Sequence, residues 1–336
     1  MCEGDNEGFE ALARDLARFQ RDHVEPVRRL FAAAGFEVDG AGFSVDAIPA
    51  LPTEAFKLRR IAAHDAMHDE RCFHTSGTTA EARGAHPMRT TATYARAALG
   101  WGRHMLFPDR ARLRMVSLVA SEAKAPESSL SFMLARFAEA LGGDASFHLD
   151  GDLDLEGLRD RIAGARDPLL VAGTSFAFVH LADSVASLPL PPGSRVMQTG
   201  GFKGRSREVA ASALRQRLAE LFGLPLAAVV GEYGMTELSS QLYQPGMRSG
   251  DDDEGYFPPP WLRVSAVDPE TLAPLPRGEI GLGRFVDLAN VDGALAILTA
   301  DRLRLRDDGA VELFGRQPGA SPRGCSLALE PLLDRR

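Results

Sequence analysis

Between residues 113 and 235 the chain alternates apolar runs with helix-patterned stretches, and this alternation limits what it can fold into. LRMVSLV, SFHLD, LLVAGT, RVMQTGG and LAAVV read as strands. Between them SSLSFMLARFAEALGG, DLEGLRDRIAGA, FAFVHLADSVAS and REVAASALRQRLAELFG carry apolar residues at helical spacing. Strands joined by helices of that length pair in parallel, and a parallel sheet is covered on both faces, so its strands are apolar throughout. The expectation is an α/β fold with a parallel-rich sheet and covering helices.

The flanks read differently. Residues 8–34 place Phe9, Leu12, Leu16, Phe19 and Val24 at helical spacing ahead of Gly35, which predicts one or two packing helices. A Pro-containing connection at 48–56 follows, and a further helix is expected between Met88 and Leu106. Beyond Tyr256, short β-rich runs are broken by Asp-Pro, Arg-Gly and Asp-Gly, as in hairpins. The expected division is an N-terminal helical segment at 1–60, an α/β core at 61–255, and a β-rich subdomain with a short tail at 256–336.

Composition narrows the function. With 45% hydrophobic and 25% charged residues, the chain has the makeup of a soluble globular protein. Its net charge of −8 argues against a mainly electrostatic nucleic-acid partner. No apolar run is long enough to span a bilayer, and MCEGDNEGFE lacks a signal pattern, so the expected compartment is the cytoplasm. Cys2, Cys72 and Cys325 have neither metal-ligand spacing nor a disulfide framework. Lysine occurs only at 57, 124 and 203. His74 and His180 read as structural, and no HExxH-like zinc pattern is present.

Two strings carry chemistry. FHTSGTTAEARG at 73–84 gathers the hydroxyls of Thr75, Ser76, Thr78 and Thr79 around Gly77, a composition suited to a loop that wraps polyphosphate. Taken alone, the plainer reading is a Ser/Thr-rich turn. GEYGMTE at 231–237 follows the apolar run Leu224–Val230, so a buried strand should deliver Tyr233, Thr236 and Glu237 to its C-terminal end, where open α/β sheets bind ligands. Tyr233 between two glycines suits a ring facing a planar ligand, although a core aromatic is the plainer alternative. TGGFKGR at 199–205 offers Gly201, Lys203 and Arg205 after a strand, for phosphate contacts or as a helix-start turn with solvated basic residues.

In order along the chain, FHTSGTTAEARG, GEYGMTE, TAD at 299–301 and LFGRQPGASPRG at 313–324 resemble the signature motifs of the adenylate-forming superfamily of acyl-CoA synthetases, luciferases and adenylation domains. The resemblance implies that superfamily's N-terminal core, with ATP and Mg²⁺ as cofactors. It implies that Thr75, Ser76, Gly77, Thr78, Thr79 and Arg83 face phosphate, contacts that Gly201 and Lys203 after their strand would also suit. It further implies that Tyr233 stacks on adenine beside Glu232 and Gly234, Thr236 contacts phosphate or substrate carboxylate, and Glu237 holds the metal. Asp301 would accept ribose hydroxyls and Arg316 would orient the nucleotide. Ala80 replaces a usual glycine, and Arg83 stands near the usual lysine, keeping its charge and adding bidentate phosphate geometry.

Only residues 317–336 follow Arg316, and none is lysine, so the large C-terminal domain of a two-domain ligase, with its adenylation lysine, is expected to be absent. RGCSLALEPLL at 323–333 instead resembles the end of the acyl-protein synthetases of bacterial bioluminescence, the LuxE type, in which a cysteine near the C-terminus accepts the acyl group as a thioester. Length and GTSFAF at 173–178 also fit that branch. Cys325 is then the candidate nucleophile, with Arg323 favouring its thiolate; otherwise it is a buried small hydrophobe. The implied substrate is a fatty or other carboxylic acid, and the implied partner an acyl-CoA-reductase-like protein. The rival functions are a CoA-dependent acyl or aryl ligase and a non-catalytic nucleotide- or acyl-binding scaffold. SLSFMLARF at 129–137 and GTSFAFVHL at 173–181 are either an acyl channel or ordinary core.

Overall fold

The computed structural model describes residues 3–76, 83–200, 211–250, 252–317 and 329. It opens with α1 (Glu3–His23), α2 (Glu25–Ala33), β1 (Leu51–Pro52), α3 (Ala55–Leu58), β2 (Arg71–His74) and β3 (Ala85–Met88). Next come α4 (Ala92–Met105), β4 (Arg114–Leu118), α5 (Ser129–Ala140), β5 (Ala145–Phe147), β6 (Leu149–Asp150), β7 (Asp152–Leu153), α6 (Leu155–Ala163) and β8 (Leu169–Thr174). They are followed by α7 (Ser175–Ser184), β9 (Arg195–Thr199), α8 (Ala211–Phe222), β10 (Val229–Tyr233), β11 (Leu242–Tyr243) and α9 (Gly246–Ser249). Four strands complete the order: β12 (Leu262–Val267), β13 (Ile280–Asp287), β14 (Ala296–Leu305) and β15 (Val311–Arg316).

Two compact units result. One comprises 1–94, 235–240 and 258–336, the other 95–234 and 241–257. The three segments expected from composition group differently, because strand pairing joins distant parts of the chain. β1, from the expected N-terminal segment, pairs in parallel with β14, from the expected C-terminal one.

The second unit contains the anticipated sheet, in the order β11-β10-β9-β8-β4-β5. Every pairing from β10 to β5 is parallel; only the edge strand β11 runs antiparallel. β4 starts the sheet, β5 lies on one side of it and β8, β9 and β10 on the other, so strand order reverses beside β4. Val116, Val171 and Val196 share a register across three strands and are fully buried, packed with Phe178, Leu218 and Phe222 from the covering helices. Each such side chain contributes about 1.5–3 kcal/mol when removed from water. Phe132, Met133, Phe137, Phe178 and Leu181 are buried, so most of the two apolar stretches weighed as an acyl channel are ordinary core, whereas Phe176 is exposed. The helices start where side chains supply acceptors: Ser128 for Ser131 N, Asp154 for Gly157 N and Thr174 for Ala177 N.

In the first unit, β12, β13, β14 and β15 form an antiparallel ladder. The expected turns fall where predicted. Asp268 accepts from the amides of Glu270 and Thr271, and Asp308 from that of Ala310. The N-terminal helix breaks at Val24 because Pro26, lacking an N–H, suits only a helix start. The buried stripe of α1 is Phe9, Ala13, Leu16, Ala17 and Gln20; Leu12, expected on it, is exposed, and Gln20 is fully buried.

Candidate active site

In the second unit, the carboxyl ends of three parallel strands align, with Thr174 opposite Thr199 and Thr199 opposite Glu232. The strand bearing GEYGMTE is shorter than the apolar run predicts. After Pro225, Leu226–Ala228 forms a 3-10 turn, and β10 starts at Val229. Tyr233 ends the strand half-buried, its ring edge-on to Tyr256 at 6.5 Å. Glu232 is 5% exposed and accepts a hydrogen bond from the Thr199 hydroxyl. Burial pushes its carboxyl up to about 7 against that bond, and burial followed by the neighbouring Glu232 pushes the Tyr256 phenol up to about 12. The two glycines are required by close approach. A Cβ on Gly234 would stand 2.6 Å from Glu232 Oε1, and one on Gly231 would stand 2.6 Å from Tyr256 Oη and 2.7 Å from Gln244 Oε1.

In the first unit, β2 and β3 pair antiparallel and present the ends of the 75–84 loop. Thr75 N donates to Gly84 O at 2.9 Å, Gly84 N to Thr75 Oγ1 at 2.8 Å, and Arg83 Nε to Thr75 O at 2.8 Å. Thr75 and one edge of Arg83 therefore close the loop stem, and Ser76 lies beyond it, exposed. Asp301 and Arg316 face each other on β14 and β15, joined by Arg316 Nε to Asp301 Oδ1 at 3.1 Å. Gly315 adopts φ +72 beside the register shift that sets them opposite, a conformation glycine takes without strain.

Thr236 is half-buried and Glu237 6% exposed. Glu237 O accepts from Asn290 Nδ2 at 2.9 Å. Ser239 N donates to both Asp287 Oδ2 and Asn290 Oδ1, and Ser240 Oγ donates to Asp287 Oδ1 at 2.8 Å. Burial pushes the Asp287 carboxyl up to about 6, opposed by the bonds from Ser240, Ala289 and Ser239. These supporting residues escaped the sequence reading. Their one signal is polarity inside apolar strings: Gln20 on the stripe of α1, and Asp287 and Asn290 in RFVDLANV.

Gly77, Thr78, Thr79, Gly201, Lys203 and Cys325 lie outside the described residues. A groove of about 270 Å³ lined by His23, Glu25, Arg59, Arg60 and His64 holds none of the candidate residues. Among the described residues no three His, Cys, Asp or Glu side chains cluster as a metal cage. Mg²⁺ takes one or two protein carboxylates and fills its shell with phosphate oxygens and water, so its binding to a nucleotide needs no such cage. No described helix is long and apolar enough to cross a membrane.

Solved structures share this architecture. 2-Hydroxyisobutyryl-CoA ligase in complex with 2-HIB-AMP and CoA matches with a TM-score of 0.72 at 17% identity, over 94% of this chain and 69% of that one. ATP-bound MatB from Rhodopseudomonas palustris matches with a TM-score of 0.55 at 17% identity, over 76% of this chain, which spans 49% of MatB. The fold is that of the adenylate-forming ligases, as the ordered motifs implied. The long-chain-fatty-acid–luciferin-component ligase of Aliivibrio fischeri is 24% identical over 315 residues, covering 87% of this chain and 80% of the relative. Its Vibrio harveyi counterpart is 25% identical over 142 residues, covering 40% and 36%. The chain belongs to the acyl-protein synthetase LuxE family, whose model matches residues 22–333.

Proposed function

We propose that this chain uses ATP to activate a long-chain fatty acid as its acyl adenylate and transfers the acyl group to Cys325, from which an acyl-CoA-reductase-like partner takes it. The observation that carries this is the family match over 22–333, a span holding the 75–84 loop, the Tyr233–Glu237 segment and Cys325. The acid class comes from the names of the two curated relatives. In the first step a carboxylate oxygen attacks the α-phosphorus, the bond to the β-phosphate oxygen breaks, and pyrophosphate leaves. In the second, the Cys325 sulfur bonds the acyl carbonyl carbon, the carbon–oxygen bond to phosphate breaks, AMP leaves, and the thiol proton passes to solvent.

In this reading Tyr233, beside Glu232 and Gly234, presents its ring to adenine. Asp301 accepts the ribose hydroxyls, with Arg316 beside it to orient the nucleotide. The loop hydroxyls and amides from Thr75 to Thr79, with Arg83, Gly201 and Lys203, hold phosphate. Thr236 contacts the reacting oxygens, and Glu237 holds Mg²⁺. When bound, the metal offsets the phosphate charge that repels an incoming carboxylate.

The test is intact-protein mass spectrometry after incubation with Mg-ATP and a series of fatty acids, with Cys325→Ser as control. The expected result is an ATP-dependent, hydroxylamine-sensitive mass gain of one acyl group, absent in the variant. Pyrophosphate release with the acyl group captured only by added CoA overturns the thiol assignment; no release with any acid overturns the activity.

A further inference from the structure

Beneath Glu237 lies more buried polarity than packing requires. Asp287 is 0%, Asn290 2% and Gln20 0% exposed, and burying such groups is costly unless each is fully bonded. Here each is. Asp287 accepts from Ser239 N at 3.0 Å, Ser240 Oγ at 2.8 Å and Ala289 N at 3.0 Å. Asn290 accepts from Ser239 N at 2.9 Å and donates to Glu237 O at 2.9 Å and Ala294 O at 3.0 Å. Gln20 donates to the carbonyls of Asn290 and Val291 at 2.6 and 3.0 Å and accepts from Leu295 N at 2.7 Å. Ser240 Oγ also accepts from Trp261 Nε1 at 3.0 Å.

The bonds converge on one stretch of main chain. Glu237 is gripped by its carbonyl, Ser239 by its amide and Ser240 by its hydroxyl, while α1 pins the turn that supplies the grip. A polar network of this kind defines one geometry, whereas apolar packing tolerates several. We propose that Asp287 and Asn290 are positioning residues that fix the backbone at Glu237–Ser240 and thereby aim Thr236 and Glu237 at the reacting groups. Gln20 acts one step further out, holding Asn290. The inference rests on the adenylation reading above.

The experiment pairs two measurements on Asn290→Ala and Asp287→Asn. Hydrogen exchange of a peptide spanning 236–241 reports the grip, and ATP–pyrophosphate exchange with a long-chain fatty acid reports the chemistry. The expected result is at least tenfold faster exchange at the Ser239 amide and at least a tenfold lower kcat, with the KM for the acid within twofold of wild type and folding retained at the assay temperature. A role confined to stability leaves kcat of the folded fraction unchanged. Ser240→Ala, which removes one bond, should fall between the variants and wild type, and it decides the matter if the other two do not fold.

Folded variants with kcat within twofold of wild type overturn the proposal, whether or not the amide exchanges faster. Wild-type protein without pyrophosphate exchange for any acid sinks the adenylation reading and the positioning role with it. No exchange in the wild type thus marks failure of the adenylation reading, and exchange in the wild type that the folded variants share marks failure of the positioning role alone.

Discussion

Replacing Glu232 by glutamine should stabilise the protein at alkaline pH and leave it nearly unchanged at acid pH. The carboxyl is 5% exposed, and burial lifts its pKa from 4.5 to about 7 despite the hydrogen bond donated by Thr199. At about 1.36 kcal/mol per pH unit, ionised Glu232 costs the folded state about 3 kcal/mol. The sign follows from proton binding. Between 4.5 and about 7 the folded chain holds this proton more tightly than the unfolded chain, so stability falls as pH rises through that window. The cost is absent below the window and complete above it. Glutamine keeps an oxygen to accept from Thr199 but never ionises. Urea unfolding of both proteins at about pH 4.5 and about pH 8.5 should therefore show a difference within about 1 kcal/mol at the lower pH and about 2–3 kcal/mol in favour of the variant at the higher. Parallel pH profiles for the two proteins would refute the reasoning, because they would mean that Glu232 ionises over the same pH range folded and unfolded.

Gly231→Ala should lower stability by about 2–4 kcal/mol in thermal or urea unfolding. The new methyl overlaps Tyr256 Oη and a Gln244 side chain that is held at both ends, by Gly231 N and Glu254 O, so overpacking adds to a lost hydrogen bond. Arg316→Ala should change stability by less than about 1 kcal/mol, since the side chain is 66% exposed in its pair with Asp301. If the nucleotide role holds, the same variant weakens ATP binding at least tenfold in equilibrium titration, and unchanged affinity would return Arg316 to the surface.

What the sequence disclosed and what it hid divide along a physical line. LLVAGT announces a buried parallel strand because burial on both faces leaves its centre without a polar position to confuse the pattern; RVMQTGG does so less cleanly, since Arg195, Gln198 and Thr199 are buried as well, and β8 and β9 form where these runs stand. The motif order made Tyr233, Thr236, Glu237, Asp301 and Arg316 candidates because motifs are local strings. The Asp301–Arg316 pairing was not visible, since it depends on a register set by Gly315 across a bulge. Nor was the support beneath Glu237. Gln20 and Leu295 lie 275 positions apart, Ser240 and Asp287 47 apart, and no periodicity connects them. Helical spacing even misplaced the first of these, putting Leu12 on the buried stripe and giving Gln20 no role. A polar side chain on an apolar stripe reads as a fault when only hydrophobicity is counted. Once backbone donors and acceptors are counted as well, the same residue marks a turn that needs partners, and the segment it serves is where function should be sought.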